Sequence, residues 1–187
     1  MVGRIPDGGG WRAHGRGSAA DKAAQRAKPK GARAGYVYLH SIIDGYSRLA
    51  YTEAHENETA ATTIGFFARA RAFFAAHAIT RIVRVIADNG SNYRAKNIVR
   101  AVLSAASRHQ RIRPYTPKHN GKIERYNRIL AEELLYSRIW STEAERRVAI
   151  ATWSIHYNYH RNHTAIGNRP PASRLRACVT NLMNQNN

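Results

Sequence analysis

The pattern of hydrophobic and polar residues becomes regular at Gly35. Two runs rich in β-branched and aromatic residues follow, at residues 36–43 and 49–52, and the turn dipeptide Asp44-Gly45 lies between them. Short runs of this composition on either side of a turn dipeptide predict a β-hairpin.

A helical period follows the hairpin. Between Thr59 and His77 the apolar residues recur at three- and four-residue intervals, which predicts a helix with one broad apolar face that packs on a sheet. The members of that face are Phe66, Phe67, Ala70, Phe73, Phe74 and His77. We expect His77 to be a helix-end residue, because no second metal ligand stands one turn away.

The rest of the chain alternates between strand and helix patterns. The β-branched run at 82–86 predicts a buried or parallel strand, which stops just before Asp88. The further predicted elements are a helix at about 94–106, a strand at 111–113, and helices at 121–138 and 142–159. The helix predicted at 121–138 has a buried stripe that consists of Ile123, Tyr126, Leu130 and Leu134. The helix predicted at 142–159 is expected to bury Trp153 and Tyr157. Strands interleaved with helices indicate a layered α/β fold.

The predicted domain organisation has three parts. Residues 1–34 are rich in glycine and basic residues and lack apolar periodicity, so we expect a largely disordered basic arm. Residues 35–175 form the predicted folded domain, and residues 176–187 form a C-terminal tail.

Composition narrows the classes of partner. The 187 residues include 30 Lys and Arg against 12 Asp and Glu, a formal charge of +18 that favours nucleic acid as the partner. A single cysteine, Cys178, excludes a disulfide framework and a cysteine-rich zinc module. Without a membrane-length apolar run or a signal peptide, the sequence predicts a soluble protein of the cytoplasm.

Two acidic residues have the most suggestive surroundings. Asp88 follows a predicted strand, and Glu124 lies at the edge of a buried helix stripe. Two carboxylates in such positions suit Mg²⁺ or Mn²⁺. A solvated turn aspartate and a glutamate that interacts favourably with the helix dipole are the more ordinary explanation, so spacing alone is weak evidence for a metal site.

Two longer motifs resemble a known family. The segments 86–91, with Asp88-Asn89-Gly90, and 114–128, with Asn120-Gly121-Lys122 before Glu124, look like signatures of the integrase catalytic core found in retroviral integrases and insertion-sequence transposases. Residues 89–123, which number 35, separate Asp88 from Glu124, and this spacing is typical of the family. Segments 39–48 and 153–163 also match, so the resemblance covers about residues 35–175.

The resemblance implies a ribonuclease-H-like three-layer α/β fold and DNA cleavage and strand transfer by two-metal phosphoryl transfer. It implies that Asp88 and Glu124 are the catalytic and metal-binding residues, with Mg²⁺ or Mn²⁺ as cofactor. The implied DNA-binding residues, which flank Glu124, are Lys118, Asn120, Lys122, Arg125 and Arg128. The implied partners are element ends and target DNA, bound by a homo-oligomer in the bacterial cytoplasm and associated with the nucleoid.

The family's two-metal chemistry needs three carboxylates, and the sequence departs from the family pattern at the aspartate that comes first along the chain. In this family that aspartate lies on a first strand, whereas Asp44 lies in the turn between what resemble strands two and three, where Ser47 or Arg48 are expected capping partners. We therefore expect the chain to lack the first strand, its carboxylate and an upstream helix-turn-helix, and to have little activity alone. The alternative is that Asp44 serves as the third ligand.

Two other functions remain compatible with the sequence. One is a non-catalytic DNA-binding fragment that modulates a full-length transposase through mixed oligomers. The other is a basic structural protein of an RNA complex. His156 and His160, one helical turn apart, are interpreted as packing or phosphate-contacting residues rather than metal ligands.

Overall fold

The computed structural model describes residues 1–26, 35–88, 91–112 and 120–175. The strands are β1 (Val2–Gly3), β2 (Tyr36–Ile43), β3 (Ala50–His55), β4 (Val85–Ala87) and β5 (His109–Arg111). The α-helices are α1 (Gly10–His14), α2 (Ala19–Arg26), α3 (Ala60–Ala76), α4 (Ser91–Arg94), α5 (Lys96–Leu103), α6 (Gly121–Leu130) and α7 (Glu143–Tyr159). The predicted tail, residues 176–187, lies outside the described residues.

The predicted hairpin is confirmed. β2 and β3 pair antiparallel from Tyr38 opposite His55 to Ile43 opposite Ala50, and β1 pairs antiparallel with the other edge of β2. The two-residue β1 covers only the beginning of that edge, because it reaches no further than Val37.

Helices cover both faces of this three-stranded sheet. Val37, Leu39 and Ile43 point to one face and pack in a core with residues of α6 and α7. Ile42 points to the other face and packs against residues of α3. The result is a helix–sheet–helix arrangement, which confirms the predicted three-layer α/β fold.

Helix α3 matches its prediction closely. The hydroxyl oxygen of Thr59 caps its first turn by accepting a hydrogen bond from the N–H of Thr62. Phe66, Phe67, Ala70 and Phe74 are buried on the sheet side. His77 lies at the helix end, where Nδ1 contacts the carbonyl oxygen of Phe73 and Nε2 contacts the Tyr159 hydroxyl group.

The second sheet is shorter than the pattern predicted. β4 begins at Val85, whereas Ile82 makes only an isolated bridge to Ala106. β5 lies parallel to β4 at His109–Arg111 and so begins two residues earlier than predicted, and residue 113 of the predicted strand lies outside the described residues. The shift arises from tertiary pairing, since the N–H of Val85 donates to the carbonyl of Arg108. The predicted helix at 94–106 is divided, because Ala95 is extended between α4 and α5.

The long helix predicted at 121–138 changes geometry midway. It is α-helical to Leu130 and then π-helical over Ala131–Leu135, and the N–H of Tyr136 donates to the carbonyl of Ala131. The wider turn places both Leu134 and Leu135 in the core. The helix consequently ends before Arg138.

Residues 1–26 differ from the predicted disordered arm. They contain β1, α1 and α2, and Val2 and Ile5 are buried in the core beside α6 and α7. The N–H of Ile5 donates to the Glu143 carboxylate, which also pairs with the buried Arg146. These single apolar anchors bind to distant parts of the chain, so they leave no periodic pattern in the sequence. Residues 27–34 are not among those described.

No helix in the described ranges is both long and apolar enough to cross a bilayer.

One buried side chain of α7, that of Asn158, forms hydrogen bonds to the edge of β3 that faces away from β2. Ala50 stands opposite Ile43 at a position whose N–H and carbonyl point away from β2, because the neighbouring pair Asp44 and Leu49 makes the bond across the hairpin. The Asn158 amide satisfies both groups, accepting from the Ala50 N–H at 2.9 Å and donating to the Ala50 carbonyl at 2.8 Å.

We therefore predict that Asn158→Ala lowers the free energy of unfolding by about 2–4 kcal/mol, since two backbone groups lose their buried partner. Urea denaturation measures the change. Asn162→Ala, at an exposed position just beyond α7, is the matched control and is expected to stay within about 0.5 kcal/mol of the parent chain. Equal effects of the two substitutions would contradict the role of Asn158.

Candidate active site

Glu124 lies in the first turn of α6, and its side chain is exposed. Two residues later, the buried Tyr126 anchors the helix to the sheet. The Tyr126 hydroxyl oxygen lies 2.6 Å from Oγ1 of Thr52, which in turn donates to Oγ of Ser41 at 2.9 Å. Burial raises the pKa of Tyr126 to about 12, so its hydroxyl group stays protonated. The start of α6 is thereby fixed over the β2–β3 hairpin.

Lys122 bridges α6 and the hairpin turn. Its Nζ donates to the carbonyl oxygen of Gly45 at 2.8 Å. Partial burial and then the nearby Arg48 lower the pKa of Lys122, while Asp44 acts in the opposite direction. Lys122, predicted as a DNA contact, thus also has a structural partner.

Asp88 directly follows β4, and its side chain is exposed, as expected for the carboxyl end of a strand. The negative charge of Asp88 interacts electrostatically with Tyr93 of helix α4. Burial raises the pKa of Tyr93, and the charges of Asp88 and Glu58 add to this increase.

The elements that carry Asp88 and Glu124 border one cleft of about 860 Å³. Ile86, two residues before Asp88, and Ile123, one residue before Glu124, both line it. Among the described residues no group of three or more His, Cys, Asp and Glu side chains is arranged to hold a metal ion. A shared metal between Asp88 and Glu124 stays a prediction.

Asp44 is engaged in the turn, as its position in the sequence predicts. Its Oδ2 accepts hydrogen bonds from the N–H groups of Tyr46 and Ser47 and from the Ser47 hydroxyl group. Its carbonyl oxygen accepts from the N–H of Arg48, whose φ is 70°. Ser47 is therefore the side-chain partner of Asp44, and these bonds orient the carboxylate into the turn.

The predicted DNA-binding residues differ in their surroundings. Asn120 is partly buried at the start of α6 and its carbonyl accepts from the N–H of Glu124, whereas Arg125 and Arg128 are exposed on the same helix. Lys118 lies outside the described residues. His156 and His160 stack on α7 with ring centroids 6.2 Å apart.

Sequence reasoning missed two features of this site, the contact of Lys122 with Gly45 and the chain of hydrogen bonds that links Tyr126 through Thr52 to Ser41. The second had a detectable signal. The hairpin register places Ser41 opposite Thr52 on one face, and a pair of hydroxyl groups there is a natural partner for a buried tyrosine.

Two protein-family models match the chain, and both are described as the integrase core domain. One covers residues 20–117 and the other residues 105–171. A curated relative is the "Insertion element IS476 uncharacterized 39.2 kDa protein" of Xanthomonas euvesicatoria, 32% identical over 85 residues. The match covers 46% of this chain and 25% of that protein, so the chain spans only a quarter of the relative.

Solved structures of viral integrases share the fold. One chain of the simian T-cell lymphotropic virus intasome matches with a TM-score of 0.61 and 23% identity. The match covers 76% of this chain and 49% of the intasome chain. The HTLV-2 integrase catalytic core domain, solved as a dimer in complex with magnesium, matches with a TM-score of 0.56 and 18% identity over 72% and 81%. The catalytic core of BIV integrase matches with a TM-score of 0.55 and 19% identity over 74% and 85%.

The turn geometry leads to a prediction about Asp44. Asp44→Ala removes the acceptor of three hydrogen bonds and is expected to lower the free energy of unfolding by about 1–2 kcal/mol, measured by urea denaturation. Asp44→Asn keeps an acceptor oxygen and should cost clearly less. Equal losses in the two variants would mean that the charge of Asp44, rather than its acceptor geometry, stabilises the turn.

Proposed function

Since the chain belongs to the integrase core domain family, we propose that it is the catalytic core of an insertion-sequence transposase that cleaves DNA and joins DNA strands. The observation that carries the proposal is that β4, which ends just before the exposed Asp88, and α6, whose first turn carries the exposed Glu124, border one cleft through Ile86 and Ile123. Exposed basic residues surround Glu124 on α6, which suits a polyanionic substrate.

The donor chemistry of the two residues fits a hard divalent cation. Asp88 and Glu124 would hold Mg²⁺ or Mn²⁺, because both offer carboxylate oxygens on exposed side chains. When bound, a pair of such ions supplies a more acidic attacking hydroxyl group and a stabilised leaving oxygen in phosphoryl transfer. Magnesium is also part of the HTLV-2 integrase core structure.

The remaining residues bind and orient DNA. Arg125 and Arg128 would neutralise phosphate groups next to Glu124, and they reduce the repulsion that the two carboxylates exert on the DNA backbone. Lys122 keeps the start of α6 attached to the hairpin turn, which holds Glu124 in place. Asn120, at the start of α6, and Lys118, just before it, complete the proposed contact surface. Two carboxylates bind a metal pair weakly, so we expect low activity from the chain alone.

The proposal includes a homo-oligomer that acts on element ends and target DNA in the bacterial cytoplasm, associated with the nucleoid. The dimeric and trimeric forms of the HTLV-2 integrase core support an oligomer. The match to a bacterial insertion-element protein supports the element as the source of the DNA.

A second candidate function is a non-catalytic DNA-binding fragment that modulates a full-length transposase. It is favoured by the absence, in the described ranges, of a group of three or more metal-ligating side chains. Such a fragment would bind DNA without Mg²⁺ and would keep its affinity when the carboxylates are replaced.

We predict that nicking of a labelled DNA end in Mg²⁺ or Mn²⁺ falls by on the order of 100-fold or more in Asp88→Asn and in Glu124→Gln, because each removes a metal ligand. Mn²⁺ binding, measured by titration calorimetry, should weaken in parallel. Glu132→Gln, at an exposed position in the π-helical segment that follows α6, is the control and should leave both unchanged. Nicking that persists in both carboxylate variants would contradict the proposed site, and DNA binding without any nicking would favour the second candidate.

We also predict that Arg125→Ala/Arg128→Ala weakens DNA binding and reduces the slope of log affinity against log salt by up to about 2. Fluorescence anisotropy at several salt concentrations measures both. Arg71→Ala, exposed on α3 at the opposite face of the sheet, should change neither. A stronger dependence on these residues for duplex RNA than for DNA would support the RNA-complex interpretation instead.

A further inference from the structure

Two large aromatic side chains are exposed where α1 meets the end of the π-helical segment. Trp11 of α1 is 44% exposed, and Tyr136, which directly follows the π-helical segment, is 61% exposed. The guanidinium carbon of Arg12 lies 5.5 Å from the centroid of the Trp11 ring and 5.8 Å from the centroid of the Tyr136 ring. The two rings therefore share one arginine, and together with Arg12 and Arg16 they form a surface that we call the aromatic platform.

Backbone contacts hold the start of α1 against the turn that follows Tyr136. Gly9, just before α1, has a φ of 79°, and a Cβ atom on it would lie 2.8 Å from the carbonyl oxygen of Trp140. Glycine permits both this conformation and this close approach. Trp140 is itself buried, and its indole N–H donates to the carbonyl of Leu135 at 3.1 Å. The position of Trp11 beside Tyr136 is thus set by packing on the core.

Cations surround the two rings. The guanidinium carbon of Arg16 lies 4.6 Å from the centroid of the Trp11 ring, and Lys22 and Arg26 are exposed on helix α2, which contacts α1. Within the described part of the chain, Arg12 and Arg16 contact aromatic rings rather than carboxylates. Their positive charge is therefore available to an anionic ligand.

The combination of rings and guanidinium groups suits unpaired nucleobases. Bases stack on aromatic side chains and on the planes of arginine side chains, while nearby cations neutralise the phosphate groups. In a duplex the faces of the bases are covered by neighbouring bases, so exposed rings favour a single strand. The surplus of cations favours a polyanion over a neutral apolar partner.

We propose that the aromatic platform binds single-stranded DNA, with bases stacked on Trp11 and Tyr136 and with phosphate groups at Arg12 and Arg16. Tyr136 comes 12 residues after Glu124 on one continuous helix. At 1.5 Å per residue this is about 18 Å, so the platform is separate from the proposed active site. The choice of DNA over RNA rests on the proposed function, whereas the binding of a single strand does not.

Tryptophan fluorescence of the full chain reports binding at the platform directly. The sequence contains three tryptophans, and Trp140 and Trp153 are buried, so a ligand that binds from solution reaches the ring of Trp11. Titration with an oligothymidylate of about 15 nucleotides should quench the emission. A DNA duplex of the same length, at equal occupancy, should quench it at most half as much, because its bases are already stacked on one another.

Substitutions at Trp11 separate stacking from the fluorescence signal. Trp11→Ala should weaken the affinity for labelled oligothymidylate, measured by fluorescence anisotropy, at least 5-fold, because a stacking partner is lost. Trp11→Phe keeps a ring, so its affinity should stay within about 3-fold of the parent while the quenching disappears. Both variants are expected to fold, since Trp11 is exposed. Tyr159→Ala, at the far end of α7 and with a ring that is 42% exposed, is the matched control and should change neither readout.

Charge variants test the phosphate contacts and separate this site from the proposed active site. Arg12→Gln/Arg16→Gln should reduce the slope of log affinity against log salt by up to about 1.4, which corresponds to two phosphate contacts on a single strand. Asp88→Asn and Arg125→Ala/Arg128→Ala should retain the quenching at saturating oligothymidylate. A chain that fails to nick DNA can therefore still confirm the platform.

Quenching that persists in Trp11→Phe would overturn the proposal, as would equal affinities of Trp11→Ala and the parent chain. Tighter binding of oligouridylate than of oligodeoxyuridylate would overturn the assignment to DNA. A change in Trp11 emission that depends only on the concentration of the chain would also overturn the proposal, because a second copy would then cover the platform.

Discussion

The placement of α6 depends on the burial of a single tyrosine. The ring of Tyr126 packs against Trp153 and Tyr157, and its hydroxyl group finds hydrogen-bonding partners in Thr52 and Ser154. A helix moved along its axis or rotated by one residue would lose these partners, at a cost of about 1–3 kcal/mol. The outward direction of Glu124 is thus set by a side chain on the inward face of the same helix.

The proposed site draws on two sheets that are separate in the described part of the chain. The parallel pair β4–β5 carries Asp88, and the antiparallel sheet with α6 carries Glu124. Their relative position depends on helices that contact both, above all α3, which packs on Ile42 with one part of its face and near Val85 with another. The geometry of the two carboxylates is therefore sensitive to packing well away from them.

Local patterns predicted much of the fold, because most elements bury an apolar face of their own. The hairpin and α3 follow their patterns closely, and Asp44 occupies the predicted turn. The order of residues 1–26 could not be predicted, since it depends on single contacts such as that of Ile5 with Glu143. The same holds for the site, where Lys122 and Gly45 meet across 77 residues of sequence, a distance at which no periodic pattern connects them.

The π-helical segment after Leu130 allows one continuous helix to expose Glu124 near its start and to bury Leu134 and Leu135 near its end. In an ideal α-helix each residue is rotated by about 100° from the one before it, so the outward direction of Glu124 would fix the direction of every later side chain. The additional residue in the turn at Ala131–Leu135 resets that angle, so the second half can bury adjacent leucines without reorienting the first half. The direction of the side chains after Ala131 is consequently decoupled from the direction of Glu124 at the start of α6.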